Sequence, residues 1–449
     1  MRVLIIDCGS NAVDFALRCQ DWGHKVLLYD KPRKDGSPKL AGNGIVERLL
    51  DYDKLRSKWI DWADIVFLPE NAHFLEMLEP YRQRGHPIFG CNLEAREWEL
   101  DRTVGQEVMK KAGLNVLPSV EFNDYDAAAR FVEKHPTYLV SKPSGDADKA
   151  MSYVAKDAAE LHYMLVDRWK KNEKYVHDAK KHGFILQEKV TGVEMAIGGW
   201  FGPHGWSRWF NLNAEYKKLC NGDLGCQTGE MGTLNCYVQK EKLIDVAMTP
   251  LTKHLKSIEY VGYVDINGMI DERGEYWPFE FTTRPPWPGF HNMVALHEGD
   301  PVQWMLDLLM GRDTLEVKED TCCVSVVLGL HPFPPADEDD RKHVGTPIYH
   351  AGDREHVHLC EAMLAEDVPV QVDDAVVRMP HFVATGGYVA VVTGTGATIT
   401  GARRSAYAAV KKIHIPSNLL YRTDIGVGRL VTGLPQVQKL GYAKAFTFL

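Results

Sequence analysis

The sequence predicts an α/β protein that begins with a doubly wound parallel sheet, continues through a second strand–helix unit and closes on a mostly-β region. A β-α-β start, alternation that resumes after a helical bridge, and short strands with turns beyond about Asp320 lead to that expectation. RVLIID (Arg2 to Asp7) is an unbroken apolar run, as a strand covered on both faces requires. A turn at residues 8–11 leads into the helical run AVDFALRCQDWG, and KVLLYD (Lys25 to Asp30) is strand-like again. WADIVFLPE and HPIFGC add two strand ends, each followed by a turn, so the first hundred residues form an open parallel sheet. Such sheets bind ligands at the carboxyl ends of their strands. The loop Asp7-Cys8-Gly9-Ser10-Asn11 lies there, but it is not the GxGxxG of a dinucleotide site. A helical region from about Glu94 to Ala112 precedes TYLVSKPS, a helix near Ala158 to Lys171, and GFILQEKV. GYVDINGMIDERGEYWPFEFTTR reads as a hairpin turning at residues 271–274, and the last predicted helix lies near Ala402 to Lys412.

At 449 residues the chain exceeds a single core and divides into three or four subdomains. Its composition, 45% hydrophobic and 25% charged with a net charge of −9, lacks the clustered Lys and Arg that a nucleic-acid backbone demands. Nucleic acid enters only as a modified-base substrate. MRVLIIDCGS meets Asp7 after one short apolar run, so neither a signal peptide nor a membrane span is expected there. The nine scattered cysteines lack zinc-site spacing and read as reduced thiols of a cytoplasmic protein, monomer or homodimer.

Chemistry concentrates in EYKKLCNGDLGCQTGEMG, residues 215–232. Gly222, Gly225, Gly229 and Gly232 let backbone N–H groups approach an anion, while Lys217, Lys218 and Asp223 supply both signs of charge. A glycine-rich surface loop with solvated charges fits the same stretch. Lys142 ends the strand YLVSK, where a phosphate-binding lysine and a snorkelling edge residue are both tenable. Gln187-Glu188-Lys189-Val190 can be a hinge that reads an adenine edge, with Glu194 near ribose hydroxyls, or solvated charges at a strand end. Asp265 and Glu280 occupy the two arms of the hairpin; if pairing brings their carboxylates together, Mg²⁺ with phosphate oxygens relieves the repulsion. Arg284 follows in a rigid TTRPPWPG turn, its planar fork suited to a carboxylate or acyl phosphate.

The order of these motifs resembles the phosphoribosylamine–glycine ligase family of the ATP-grasp superfamily. Residues 216–232 follow the family form HKRxxDGDxGPNTGGMG; residues 280–284 follow EFNCR, residues 187–194 follow EExxxGxE, and residues 422–426 follow RxDIG. The resemblance implies an ATP-grasp fold with a pre-ATP-grasp domain at 1–102, a linker helix and small lid subdomain at 103–190, a central subdomain at 191–320 and a C-terminal subdomain at 321–449. It further implies ATP and Mg²⁺ (or Mn²⁺) as cofactors, and ligation of a small amino acid such as glycine to a nucleoside- or sugar-like amine through an acyl phosphate. Lys142, Lys149 and Lys217 would hold phosphates, Glu188 and Glu194 the adenosine, and Asp265, Glu280 and Thr282 the metal. Arg284 and Asp223 would hold the amino acid's carboxylate and ammonium, with Gly229, Met231, Glu70, Arg422 and Asp424 completing the substrate site. The sequence departs from the family at GNGGREHA, which becomes residues 7–14 without the glycine pair, Arg or His; at the lid loop around Lys149; at Thr282 for Asn; and at Pro285 to Gly289 for FGDPE. An amine other than phosphoribosylamine is therefore expected, true phosphoribosylamine–glycine ligation is the alternative, and a catalytically weakened nucleotide-binding scaffold is the reading from another class.

Overall fold

The computed structural model describes residues 1–144, 151–334, 340–416 and 419–449, so Lys149 lies outside the described residues. The N-terminal strands are all parallel, in the order Arg48–Leu49, Lys25–Asp30, Arg2–Asp7, Ile65–Phe67, Ile88–Phe89. Their apolar runs are explained by burial on both faces: Leu4 and Ile6 enter one core cluster, Val3 and Ile5 another. The helix expected after the first turn spans Val13–Asp21.

The region expected as one helix from Glu94 is two, Leu93–Leu100 and Arg102–Lys111. Asp101 leaves helical geometry (φ −104°, ψ 106°), and its carboxylate accepts from the amides of Thr103 and Val104 at 2.9 and 3.2 Å, starting the second helix. A separate four-stranded antiparallel sheet follows, ordered Ser119–Phe122, Phe184–Gln187, Val140–Pro143, Tyr153–Val154. It has its own core around Trp169, Tyr125 and Phe184.

A nine-stranded antiparallel sheet forms the body. Its path runs Tyr276–Thr282, Gly262–Ile270, Val193–Gly202, Gly205–Glu215, Thr233–Val238, Cys322–Leu330, Tyr388–Gly396, Val357–Leu359, with Leu419–Leu420 beside Cys322–Leu330. The sheet crosses the expected boundary at 320/321 without a break, through Leu234 opposite Val324. A helix at Ile399–Val410 covers it, and a further helix at Arg429–Lys439, absent from the sequence expectation, closes the chain. Among the described residues no helix is long and apolar enough to cross a membrane.

The helix Ile399–Val410 lies so close to the sheet that a Cβ on Gly394 would meet the Ala406 amide nitrogen at 2.0 Å. Gly394→Ala should therefore cost ~1–3 kcal/mol through overpacking, read as a lower unfolding midpoint in calorimetry. Gly352→Ala, whose added methyl meets nothing within 4 Å, should leave that midpoint in place.

Candidate active site

Strand alternation places a set of polar side chains on one face of the large sheet. Asn211, Asn213 and Glu215 lie two residues apart, Asn235 stands opposite Asn213, and Ala196 links Asn213 to Asn267 across the next strand pair. On the edge strand, Thr282 is opposite Asp265 and Glu280 opposite Asn267. The expected hairpin is present, but Asp265 and Glu280 are offset along it and have different partners. Asp265 accepts from Asn213 Nδ2 at 3.0 Å and Tyr263 Oη at 3.1 Å, and burial followed by the charge of Glu215 pushes its carboxyl up to about 7. Glu280 instead meets Lys217 Nζ at 3.2 Å and Arg102 Nη1 at 2.8 Å. Burial alone would raise Glu280, yet Lys217, then Arg102 and Lys142, hold it well below the usual carboxylate range.

Lys217 is shared, because Glu215 Oε2 lies 3.0 Å from the same nitrogen. Burial opposes its charge, but Glu215, Glu280 and Glu194 raise it well above an ordinary lysine. Asn267 Nδ2 ties Glu194 and Glu215 together at 2.9 and 2.8 Å, and Arg429 closes the group on Glu194 at 2.7 Å. Across the cleft the four-stranded sheet contributes Lys142. A bulge that leaves Phe279 unpaired aims its ring at that lysine, 4.9 Å from Nζ. Burial, then neighbouring Arg102, pushes Lys142 down to about 8. Arg102 also donates to the Pro143 carbonyl at 3.1 Å, so one guanidinium spans both sheets. Glu188 sits further out, accepting from Thr137 Oγ1 at 3.0 Å.

The glycine-rich segment folds as a small hairpin, Lys218–Cys220 with Leu224–Gln227, turning through Gly222 (φ 69°) and Asp223 (φ 56°). Gly225 and Gly232 also have positive φ; Gly229 does not, and space around it is open. Met231 is buried, its amide donating to the Tyr216 carbonyl at 2.8 Å. Asp223 is engaged by Arg422 Nη1 at 2.9 Å, and Arg422 holds Asp424 at 2.8 and 2.7 Å. Asp424 in turn accepts from the Gly222 amide at 2.9 Å. These three residues thus form a latch that pins the loop to the C-terminal segment.

Arg284 lies at the other end of the cleft against Glu99 (3.2 Å) and Glu70 (3.9 Å). Glu99 also accepts from Asn71 Nδ2 and the Thr283 amide, both at 2.7 Å. In the N-terminal loop, Asp7 accepts from the Gly9 and Ala12 amides at 2.9 and 2.8 Å, and its carboxyl is pushed up to about 7 by burial, then by Asp30 and Glu70. Lys39 sits 3.3 Å from Asp30 and donates to the Cys8 carbonyl at 2.5 Å. The one set of three side chains close enough to hold an ion among the described residues is elsewhere, Asp14, His291 and His358, and there Arg18 already occupies Asp14 at 2.6 Å.

Sequence reasoning missed Glu99, Arg102, Glu215, Glu230 and Arg429. Glu230 carried a signal, since it stands at the second glycine of the TGGMG form. Glu215 also carried one, as the first residue of the 215–232 stretch and two before Lys217, whereas Glu99, Arg102 and Arg429 come from elements whose proximity is purely tertiary.

Two family models match the chain: the ATP-grasp (A) domain of phosphoribosylglycinamide synthetase over residues 101–281, and the C domain of the same enzyme over residues 324–428. The chain belongs to the phosphoribosylglycinamide synthetase family of the ATP-grasp superfamily. As a member it is an ATP-grasp ligase of the carbon–nitrogen class. The phosphoribosylamine–glycine ligase of Archaeoglobus fulgidus is 24% identical, with 95% of this chain and 99% of that protein covered. The crystal structure of the Thermotoga maritima phosphoribosylamine–glycine ligase superposes with a TM-score of 0.71 at 20% identity, over 95% of this chain and all of that one. A biotin carboxylase domain from Hydrogenobacter thermophilus gives 0.62 at 12% identity, covering 94% and 91%. The ATP-grasp architecture expected from the motifs is thus borne out.

Arg422 is 1% exposed at its side chain, so removing it strands two carboxylates and frees the loop. Arg422→Ala in this synthetase-family chain should accelerate amide exchange over residues 218–227, measured by mass spectrometry, and lower stability by less than breaking a fully buried ion pair would, because Asp223 is partly solvated. Exchange unchanged there would show that the latch does not hold the loop.

Proposed function

We propose that this protein joins a small amino acid, glycine foremost, to an amine, with ATP cleaved to ADP and phosphate. The observation that carries this reading is the Lys217–Glu280–Arg102 cluster facing Lys142 across a cleft, with Arg284 four residues beyond Glu280. Such an arrangement suits phosphoryl transfer, where catalysis is positioning plus charge neutralisation. Lys142, Lys217 and Arg102 would take phosphate oxygens, and Glu188 and Glu194 the adenosine. Asp265 Oδ1 is buried without a hydrogen-bond partner among the described residues, and with Glu280 and Thr282 it offers the hard oxygen donors that fit Mg²⁺ or Mn²⁺. Bound there, the metal would neutralise charge on the transferred phosphoryl group. Glu99 holds Arg284 by Nε and Nη1 donates to the Pro285 carbonyl at 3.4 Å, which leaves Nη2 for the amino acid's carboxylate. That carboxylate attacks the γ-phosphoryl group, releasing ADP; the amine nitrogen then attacks the acyl carbon, phosphate leaves, and a proton is lost from nitrogen.

The names of the relatives support 5-phosphoribosylamine as the amine. A second reading, an amine without phosphate such as a nucleoside or modified base, is favoured by the N-terminal loop. Asp7, Asp30 and Glu70 gather where the family motif is glycine-rich; of the cations beside them, Lys39 is committed to Asp30 and a carbonyl, Arg284 to Glu99 and Glu70, and Arg48, which also acts on Asp7 and Asp30, donates to the Lys39 carbonyl and Asn43. Carboxylates in that position repel a phosphate monoester. An assay with ATP, glycine and freshly generated phosphoribosylamine separates the two: turnover of ~1 to 10³ per second assigns the phosphoribosylamine reaction, and its absence with turnover on other amines assigns the second. In either case ADP and phosphate should appear; stoichiometric AMP would overturn the proposal.

The lowered Lys142 gives a pH dependence of definite sign. Below about 8 the free protein carries its charge there and attracts phosphate; above, the charge is lost. The dissociation constant for the Mg²⁺ complex of a non-hydrolysable ATP analogue should therefore rise from pH 7 to pH 9, and Lys142→Arg should flatten the dependence.

A further inference from the structure

Among the described residues of the cleft, Glu230 and Asp265 are the carboxylates without an ion-pair partner of their own, and Glu230 has no place in the family form. It stands where the family's TGGMG form has glycine, it is 6% exposed, and its Oε1 has no hydrogen-bond partner among the described residues. Glu215, Lys217 and Asp265 are the charged groups that act on it, and Lys217 is already shared between Glu215 and Glu280. Burying a carboxylate unpaired costs several kcal/mol, so a retained one implies a ligand or proton that offsets the cost. On the same sheet face Asp265 Oδ1, Asn213 Oδ1 and Asn235 Oδ1 also lack partners among the described residues. Unpartnered acceptors, Glu230 Oε1 among them, thus outnumber the unpartnered donors there, Asn211 Nδ2 and the Tyr388 hydroxyl.

We propose that Glu230 forms a subsite for the ammonium group of a substrate, a group with three N–H donors and a full positive charge. This deepens the ligase reading and rests on it. Asp223, the residue whose motif position suggested that role, is held by Arg422 and is 38% exposed at its side chain. Glu230 is seven residues further along the same loop and buried; Thr233 hydrogen-bonds its carboxyl, and Oε1 is left without a partner among the described residues. The ammonium can belong to the amino-acid donor or to an acceptor amine with a second cationic nitrogen; both satisfy the same oxygens.

Calorimetry on the full chain with Mg²⁺ and a non-hydrolysable ATP analogue tests this, using glycine, ethanolamine and putrescine as probes against wild type, Glu230→Gln and Glu230→Gly. Expected is a loss of glycine affinity on the order of 10- to 100-fold in both variants, with nucleotide affinity unchanged. Loss for putrescine or ethanolamine with glycine unchanged also supports the subsite and assigns it to the acceptor. Unchanged affinity for all three probes in both variants overturns the proposal, as does an equal loss of nucleotide or Mg²⁺ affinity, which would make Glu230 part of the phosphate and metal site. Wild-type protein that takes nucleotide but none of the probes would overturn the ligase reading instead, so the two failures are distinguishable.

Discussion

Lys217 is the charge on which the cleft depends. Glu215 acts on both Glu230 and Asp265, Glu194 and Glu280 join Glu215 around Lys217, and like charges so close destabilise a fold unless cations intervene. Lys217 touches two of these carboxylates directly, and Arg102 and Arg429 neutralise from either side. Among the described residues, the arrangement leaves Asp265 and Glu230 as the cleft acids with an oxygen atom lacking a hydrogen-bond partner. Charge balance inside the cleft therefore decides which groups are available to a ligand and which are structural.

Lys217, Glu280 and Arg284 were legible in the sequence because a loop motif and a strand-end motif fix them within a few residues. RVLIID and KVLLYD were legible residue for residue, since their apolar runs coincide with the strands. Asp223, Arg422 and Asp424 could be named, but not their mutual pairing, because it joins positions about 200 residues apart. Asp101 is a good helix-capping residue and could have shown the break between the two bridging helices. The closing helix was missed because Gly433 and Pro435 lie inside RLVTGLPQVQK, a composition that reads as a turn.

The two ends of the cleft differ in how far they keep the family pattern. At the Arg284 end the family's arginine is kept, although its turn has become Pro285-Pro286-Trp287-Pro288, and Glu99 fixes its orientation. At the N-terminal end, acid has replaced open backbone around residues 7–11. Chemistry common to the superfamily is held by the central sheet, whereas recognition is left to loops that can change without disturbing it.

The unbroken large sheet also bears on how the chain can be divided. Family models end at 281 and resume at 324, which suggests two modules, yet Thr233–Val238 and Cys322–Leu330 are hydrogen-bonded neighbours. A fragment cut between them would expose a bare edge of two apolar, fully buried strands, each a template for pairing with another chain. The matched segments are thus units of sequence descent rather than units that fold alone, and the C-terminal strands act as the edge protection of the catalytic half.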